Sequence, residues 1–238
     1  MSSKLLITEI TYMGALFCVI GLQRNEAEIR SIRPVAPNFY GWRYFPYRRG
    51  DVLQCDLAQV CGAAPHLEDR LCSTCFEKKA TIAEVETVAY LRRAEYADSL
   101  QELFGCAVHE NRRGSGLYAK PASAKRSICG TEPSNIRLEL CGGELRATLA
   151  LDCGEVLRDL PVVDRDWLDF VREALAPPRG PSRQAHLERF LNSQFHCKIL
   201  SSPHRYVRLG LTRPYKDVCW VMLDTLFPLP TAGWLQDC

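Results

Sequence analysis

Two runs of strand-type alternation open the chain, residues 4–12 and 15–23, and they meet at the tight turn Met13-Gly14. Successive side chains on a strand point to opposite faces, so this pattern commits the start of the chain to a hairpin rather than a helix. A third run, residues 28–35, reaches Pro34, where a strand leaves its ladder. Residues 51–57 (DVLQCDL) alternate again. The sequence therefore predicts a β-rich first half with little helix before residue 80.

Helical signals follow. Thr81 with Glu84 three positions on forms a capping-box pattern, and Val85, Val88, Ala89 and Arg92 supply a buried stripe. Asp98 with Gln101 opens a short second helix carrying Leu100, Leu103 and Phe104. From 110 to 135 the periodicity dissolves into Gly, Ser, Pro and basic residues, read as a linker or long loop. Arg112, Arg113, Lys120, Lys125 and Arg126 against Glu110 and Glu132 make it locally positive.

Strands resume at 135–140 and 144–151 around Gly142-Gly143, a hairpin signal, and again at 154–163. Asp164 caps a helix with Trp167, Leu168, Val171, Ala174 and Leu175 at helical spacing, and a further helix carries Leu187, Phe190, Leu191 and Phe195. Three strands close the chain at 196–200, 206–212 and 218–227. The expected fold is all-β with inserted helices, as two small barrels in tandem. The first spans 1–109 with a helical insertion, the basic loop 110–135, and the second 136–238 with two inserted helices.

The charge bears on partners. Net charge is only +2 over 238 residues, so nucleic-acid affinity has to come from local patches. No apolar run approaches a bilayer span, and Thr8, Glu9, Thr11 and Tyr12 interrupt the opening apolar segment. The expectation is a cytoplasmic protein without a membrane partner. Twelve cysteines in a chain of this size without a secretion signal read as reduced thiols, several of them packed in strands.

The densest patch lies at 29–50, with five arginines and no acidic residue. Within it Phe39, Tyr40, Trp42, Tyr44, Phe45 and Tyr47 crowd into nine positions. Guanidinium groups pair with phosphates and flat rings accept unpaired bases, so this composition suits single-stranded nucleic acid or a nucleotide. The candidate residues are Arg30, Arg33, Trp42, Arg43, Tyr44, Tyr47, Arg48 and Arg49, with Arg112, Arg113, Lys125 and Arg126 of the basic loop as a second surface. The competing reading has the rings closing a barrel end and arginines such as Arg33 and Arg213 bridging the two barrels. A partner protein docking on the aromatic patch is the other functional alternative.

Metal and catalytic signals are thinner. Cys72 and Cys75 are two residues apart, and Cys55 and Cys61 upstream complete four thiols of the kind zinc takes. The default is that these are ordinary thiols and no cofactor is bound. His196 and Cys197 are adjacent and would face opposite sides of a strand, and no Walker, Rossmann, HExxH or GxSxG motif occurs. A non-enzymatic protein is expected.

Several blocks together carry a family resemblance. GALFCVIGL followed by IRSIRPV resembles the start of bacterial dual OB-fold domains, which run Cys-Val-(Ala/Ile)-Gly and then Ile-Arg-Pro-Val. DVLQCDL with the turn Ala64, Pro65, His66, Leu67, Glu68 and Asp69 is similar too, as are YVRLGLTRPY, the strand around Cys219-Trp220 and the final FPLP. The chain departs from that pattern at Ser31, where a tryptophan often precedes Ile-Arg-Pro. The resemblance implies two OB-type barrels acting as a binding or sensing module in bacterial antiviral defence.

Overall fold

A computed structural model describes residues 2–25, 28–37, 41–72, 76–111, 116–141, 144–175, 202 and 204–229. The helix expected at 187–195 and the strand at 196–200 fall outside them.

The first half closes into a five-stranded barrel. Its strands are β1 (Ser2–Met13), β2 (Leu16–Arg24), β3 (Ile29–Val35), β4 (Asp51–Val60) and β5 (Asp69–Cys72). They run in the order β1-β2-β3-β5-β4, and β4 returns to pair with β1, so the ring is complete. β3 and β5 are parallel, with Arg33 opposite Asp69, and every other pairing in the ring is antiparallel. Such a barrel is compatible with an OB-like domain. The turn at Gly14 needs φ +62°, which glycine adopts without a steric penalty. Leu5, Ile7, Ile10, Val19, Ile32 and Leu53 fill the interior.

β1 is buried on both faces from Leu5 to Thr11, because its outer face meets the second half of the chain. A bulge between Ile7 and Glu9 shifts the register there. That double burial explains why polar Thr8, Glu9 and Thr11 interrupt the apolar pattern: none of the three is solvated.

β6 (Glu77–Thr81) extends the sheet beside β4, and α1 (Glu84–Ala94) follows. The helix is capped at Ala83 rather than Thr81, whose hydroxyl is instead given to Asp51 at 2.9 Å within β6. Its buried face is Thr87, Val88 and Leu91, one step round from the expected stripe, while Val85 is exposed. Val88 and Leu91 meet Leu6, Leu22, Tyr206 and Phe227, an apolar seam joining the two halves.

The second core begins at Ala97, so α2 (Leu100–Phe104) packs with the second half. The region read as linker or loop carries β8 (Leu117–Ala119) and β9 (Ile128–Thr131), after β7 (Val108–Glu110). β10 (Asn135–Cys141), β11 (Glu144–Ala150) and β12 (Val156–Pro161) form an antiparallel sheet. α3 (Arg165–Leu175) starts where expected, with Asp164 accepting from the backbone N–H of Asp166 at 2.9 Å and Trp167 at 3.1 Å. β13 (His204–Leu211) and β14 (Cys219–Leu229) complete a five-stranded sheet in the order β7-β8-β14-β13-β9. A parallel bridge from Val162 to Leu223 links the two sheets around one core. No helix among the described residues is long and apolar enough to cross a membrane.

Candidate functional site

The arginine and aromatic stretch divides in two. Trp42 is buried, donates from Nε1 to the Pro34 carbonyl at 2.9 Å and packs edge-on against Phe76 with ring centroids 4.9 Å apart. Phe45 and Tyr47 join this cluster, and the Tyr47 hydroxyl donates to the Phe76 carbonyl at 2.8 Å. These rings close the first barrel's interior. Arg165 clamps the loop from the other half, donating to the Phe45 and Tyr47 carbonyls at 3.1 and 3.0 Å. Outside lies Tyr44, 78% exposed, between exposed Arg43 and Arg48. Phe39 and Tyr40 fall outside the described residues.

The remaining arginines have different employment. Arg30 pairs with Glu28 at 2.5 Å on the surface. Arg49 reaches across to the second half, meeting Asp166 at 3.2 Å, Asp164 at 3.5 Å and the Thr225 hydroxyl at 2.7 Å. Arg126 donates to the Glu102 carbonyl at 2.9 Å and Lys125 is exposed, whereas Arg112 and Arg113 lie outside the described residues. The structure therefore does not bring the ten described candidates onto one face.

Of the four candidate zinc thiols, Cys75 is outside the described residues and Cys61 is exposed. Cys55 and Cys72 are buried neighbours on β4 and β5, and the Cys72 thiol donates to the Cys55 sulfur, which lowers the pKa of Cys55 and raises that of Cys72. Among the described residues no group of three or more His, Cys, Asp or Glu is placed to hold a metal.

The polar chemistry is concentrated between the two halves. Arg33, 5% exposed on β3, donates to Asp69 at 2.9 Å and Ser127 at 3.0 Å, and pairs with Glu68 at 2.9 Å. His66 Nδ1 lies 3.0 Å from an Arg33 amino group and so accepts, which leaves Nε2–H to donate to the Thr212 carbonyl at 3.2 Å. Arg213 pairs with the other oxygen of Asp69 at 2.5 Å. Burial pushes the Glu68 carboxyl up, but the Arg33 guanidinium and the Ser127 hydroxyl outweigh it and hold the pKa at about 2. Both arginines of the resembling blocks thus bridge the halves through the acidic turn at 68–69.

A second buried group sits alongside. Arg208 on β13 donates to Glu9 on β1 at 2.7 Å and to Ser31 at 2.8 Å, and Ser31 donates in turn to Glu95 at 2.7 Å. The small hydroxyl side chain at 31 leaves room for Arg208 to reach across to it. Asp224 is also buried. Burial and the nearby Glu9 push its carboxyl up to about 8 against the pull of Arg33 and Arg208.

Between these groups is a cavity of about 350 Å³. Tyr12, Arg33 and His66 line it from the first half, and Arg213, Trp220 and Asp224 from the second. Four side-chain atoms among the described residues are sealed from solvent without a hydrogen-bond partner, Glu9 Oε2, Arg33 Nε, Arg208 Nη1 and Asp224 Oδ1. Cys18 also lines the cavity, with burial raising its thiol pKa, so it is held as a thiol and is a poor nucleophile. The stretch at 29–50 signalled Arg33 alone among these residues. Arg208, Asp224 and Trp220 looked like ordinary strand positions, the one local cue being an arginine inside the apolar run YVRLGL.

No protein-family model, curated protein or solved structure matches this chain.

Proposed function

We propose that the chain is a non-enzymatic module of two OB-type barrels in tandem that senses a nucleotide-class ligand in a bacterial antiviral defence system, in the cytoplasm. The cavity between the halves is the observation that carries the binding role. At about 350 Å³ it falls in the size range of small-ligand pockets, and it joins aromatic walls to a few convergent polar groups. The tandem organisation draws support from strand pairing in the second half. There β9 leads into β10, β13 pairs β9, and Val162, just past β12, makes a single parallel bridge to Leu223 of β14, on a smaller scale than the parallel β3–β5 contact of the first barrel. The raised thiol pKa of Cys18 favours binding over nucleophilic chemistry.

A ligand held between two halves stabilises both by mass action. Thermal unfolding is measured with a panel of nucleosides and mono-, di- and trinucleotides, and separately with single-stranded DNA and RNA across a salt series. A melting shift by a small ligand that survives salt supports the cavity. Shifts from polymers alone, collapsing as salt rises, move the site to the outer face around Tyr44.

That outer face sustains the second reading, a scaffold docking a partner protein. Tyr44 is 78% exposed with arginines on either side, a composition common at interface hot spots. Capture of a partner that resists salt and is lost in Tyr44→Ala would favour it.

A further inference from the structure

We propose that the ligand is at least two nucleotides long, with one base seated in the cavity against Trp220 and the next stacked on an aromatic row, Tyr118 and His109, that leads out of it. This rests on the nucleotide-class reading above and specifies the length of the ligand.

The row follows from strand alternation. On β7, β8 and β14 the residues Val108, Leu117, Ala119, Cys219 and Val221 turn to the second core. The residues between them therefore face the other way. Register aligns these outward residues: His109 lies directly opposite Tyr118, and Tyr118 directly opposite Trp220. Ring centroids are 5.4 Å apart in the first pair and 5.8 Å in the second. Three rings thus stand side by side across three strands, His109 exposed and the other two half-buried.

Trp220 belongs to both the row and the cavity. It lines the cavity, as does Met222 two positions on along the same face of β14. The row is therefore continuous with the cavity wall. Cross-strand aromatic pairs also stabilise a sheet, which accounts for rings in contact. It does not account for a row that starts in a cavity and ends exposed on β7, the outermost strand of its sheet among the described residues.

Length sets the class of ligand. Neighbouring strands lie about 4.8 Å apart, so the row runs about 10 Å outward from Trp220. A base inside the cavity covers Trp220 and leaves Tyr118 and His109 bare, and the next base along a chain meets them. Ring faces accept any base without reading its edge. The charge around the row suits a ligand with few phosphates. Lys120, just past β8, and Lys216, 5.3 Å over the ring of cavity-lining Tyr215, are exposed, but so are Glu110 and Asp217. Such a face gives a shallow salt dependence.

The test is isothermal titration calorimetry of the full chain with AMP and UMP, the dinucleotides ApA and UpU, and a hexanucleotide of each base. At least one dinucleotide is expected to bind about tenfold or more tighter than its mononucleotide, the gain from one further base on an aromatic ring. His109→Ala and Tyr118→Leu are each expected to remove most of that gain and leave the mononucleotide unchanged, a split that a merely structural role would not produce. Trp220→Leu should weaken both lengths alike, by about tenfold. A hexanucleotide no tighter than the dinucleotide supports a free dinucleotide as the ligand, and a further gain supports a single strand. Should a variant fail to fold, the wild-type length comparison decides. Mononucleotides bound as tightly as dinucleotides overturn the two-base assignment and leave the nucleotide-class reading standing, as does a dinucleotide gain that survives both variants. No binding by any of these ligands to folded wild type overturns both.

Discussion

Arg208 donates its Nε–H to Glu9 across 199 positions of sequence at 2.7 Å, and both side chains are fully buried. β13 of the second half and β1 of the first are pinned by this pair, with Ser31 and Glu95 as further acceptors for the guanidinium. Removing Arg208 leaves the Glu9 charge buried and uncompensated, and removing Glu9 leaves Arg208 with Glu95 alone, at 3.3 Å. Glu9→Gln and Arg208→Met are each expected to destabilise by about 3–5 kcal/mol in denaturant unfolding. The double variant Glu9→Leu with Arg208→Met should cost less than the two singles together, because both charges go at once. Additive losses would mean that the pair is not energetically coupled.

Stability should peak on the acid side of neutral. Glu68 falls from the ordinary 4.5 to about 2 on folding, so its contribution is present above pH 4.5 and lost as pH drops toward 2. Asp224 rises from 3.8 to about 8, and Asp164, pushed up chiefly by burial, to about 6. The folded chain therefore holds protons that the unfolded chain releases, and stability declines from about pH 4 until Asp164 and then Asp224 ionise in place. A maximum at about pH 4 follows. Between pH 6 and 8 the Asp224 share of the slope is about 1.4 kcal/mol per pH unit, and Asp224→Asn should abolish it in urea titrations at fixed pH.

The elements legible in the sequence are those whose reasons are local. β1 with β2 and β10 with β11 announce themselves by alternation around Gly14 and Gly142-Gly143, and α3 by Asp164 at its cap. β6 reads EKKAT with every residue exposed, and β8 and β9 are three and four residues long, so each exists through its neighbour rather than its own pattern. Thr81 gave a false capping signal because its hydroxyl is taken by Asp51. The site was harder still. Arg33 and Asp224 are separated by most of the chain, and no spacing rule joins them. What does is the closure of one half on the other.

Two glycines separate close packing from backbone geometry. A Cβ on Gly130 would sit 1.8 Å from the Tyr206 hydroxyl, which itself donates to the Glu95 carbonyl at 3.2 Å. Gly14 has open space around it and a φ of +62°. Gly130→Ala is expected to cost about 1–3 kcal/mol by overpacking and to be partly rescued by Tyr206→Phe. Gly14→Ala should cost about 1–2 kcal/mol, with no rescue from any neighbour. Chemical denaturation of the three variants and the Gly130/Tyr206 double checks this.

Trp42 and Tyr44 are two positions apart and should behave oppositely. Trp42 is 7% exposed, bonded to Pro34 and packed on Phe76 in the barrel end, so Trp42→Ala should cost about 3–5 kcal/mol. Tyr44 is 78% exposed, and Tyr44→Ala should stay within about 0.5 kcal/mol of wild type in the same unfolding experiment. A surface test of this loop has to use Tyr44→Ala with Arg43→Ala and Arg48→Ala, since a variant including Trp42 would lose binding by losing the fold. If single-stranded DNA or RNA stacks on this face, the three-residue surface variant should weaken it about tenfold or more and flatten its salt slope at unchanged stability. Unchanged affinity in a folded variant would remove the loop from the binding surface and leave the cavity between the halves as the site.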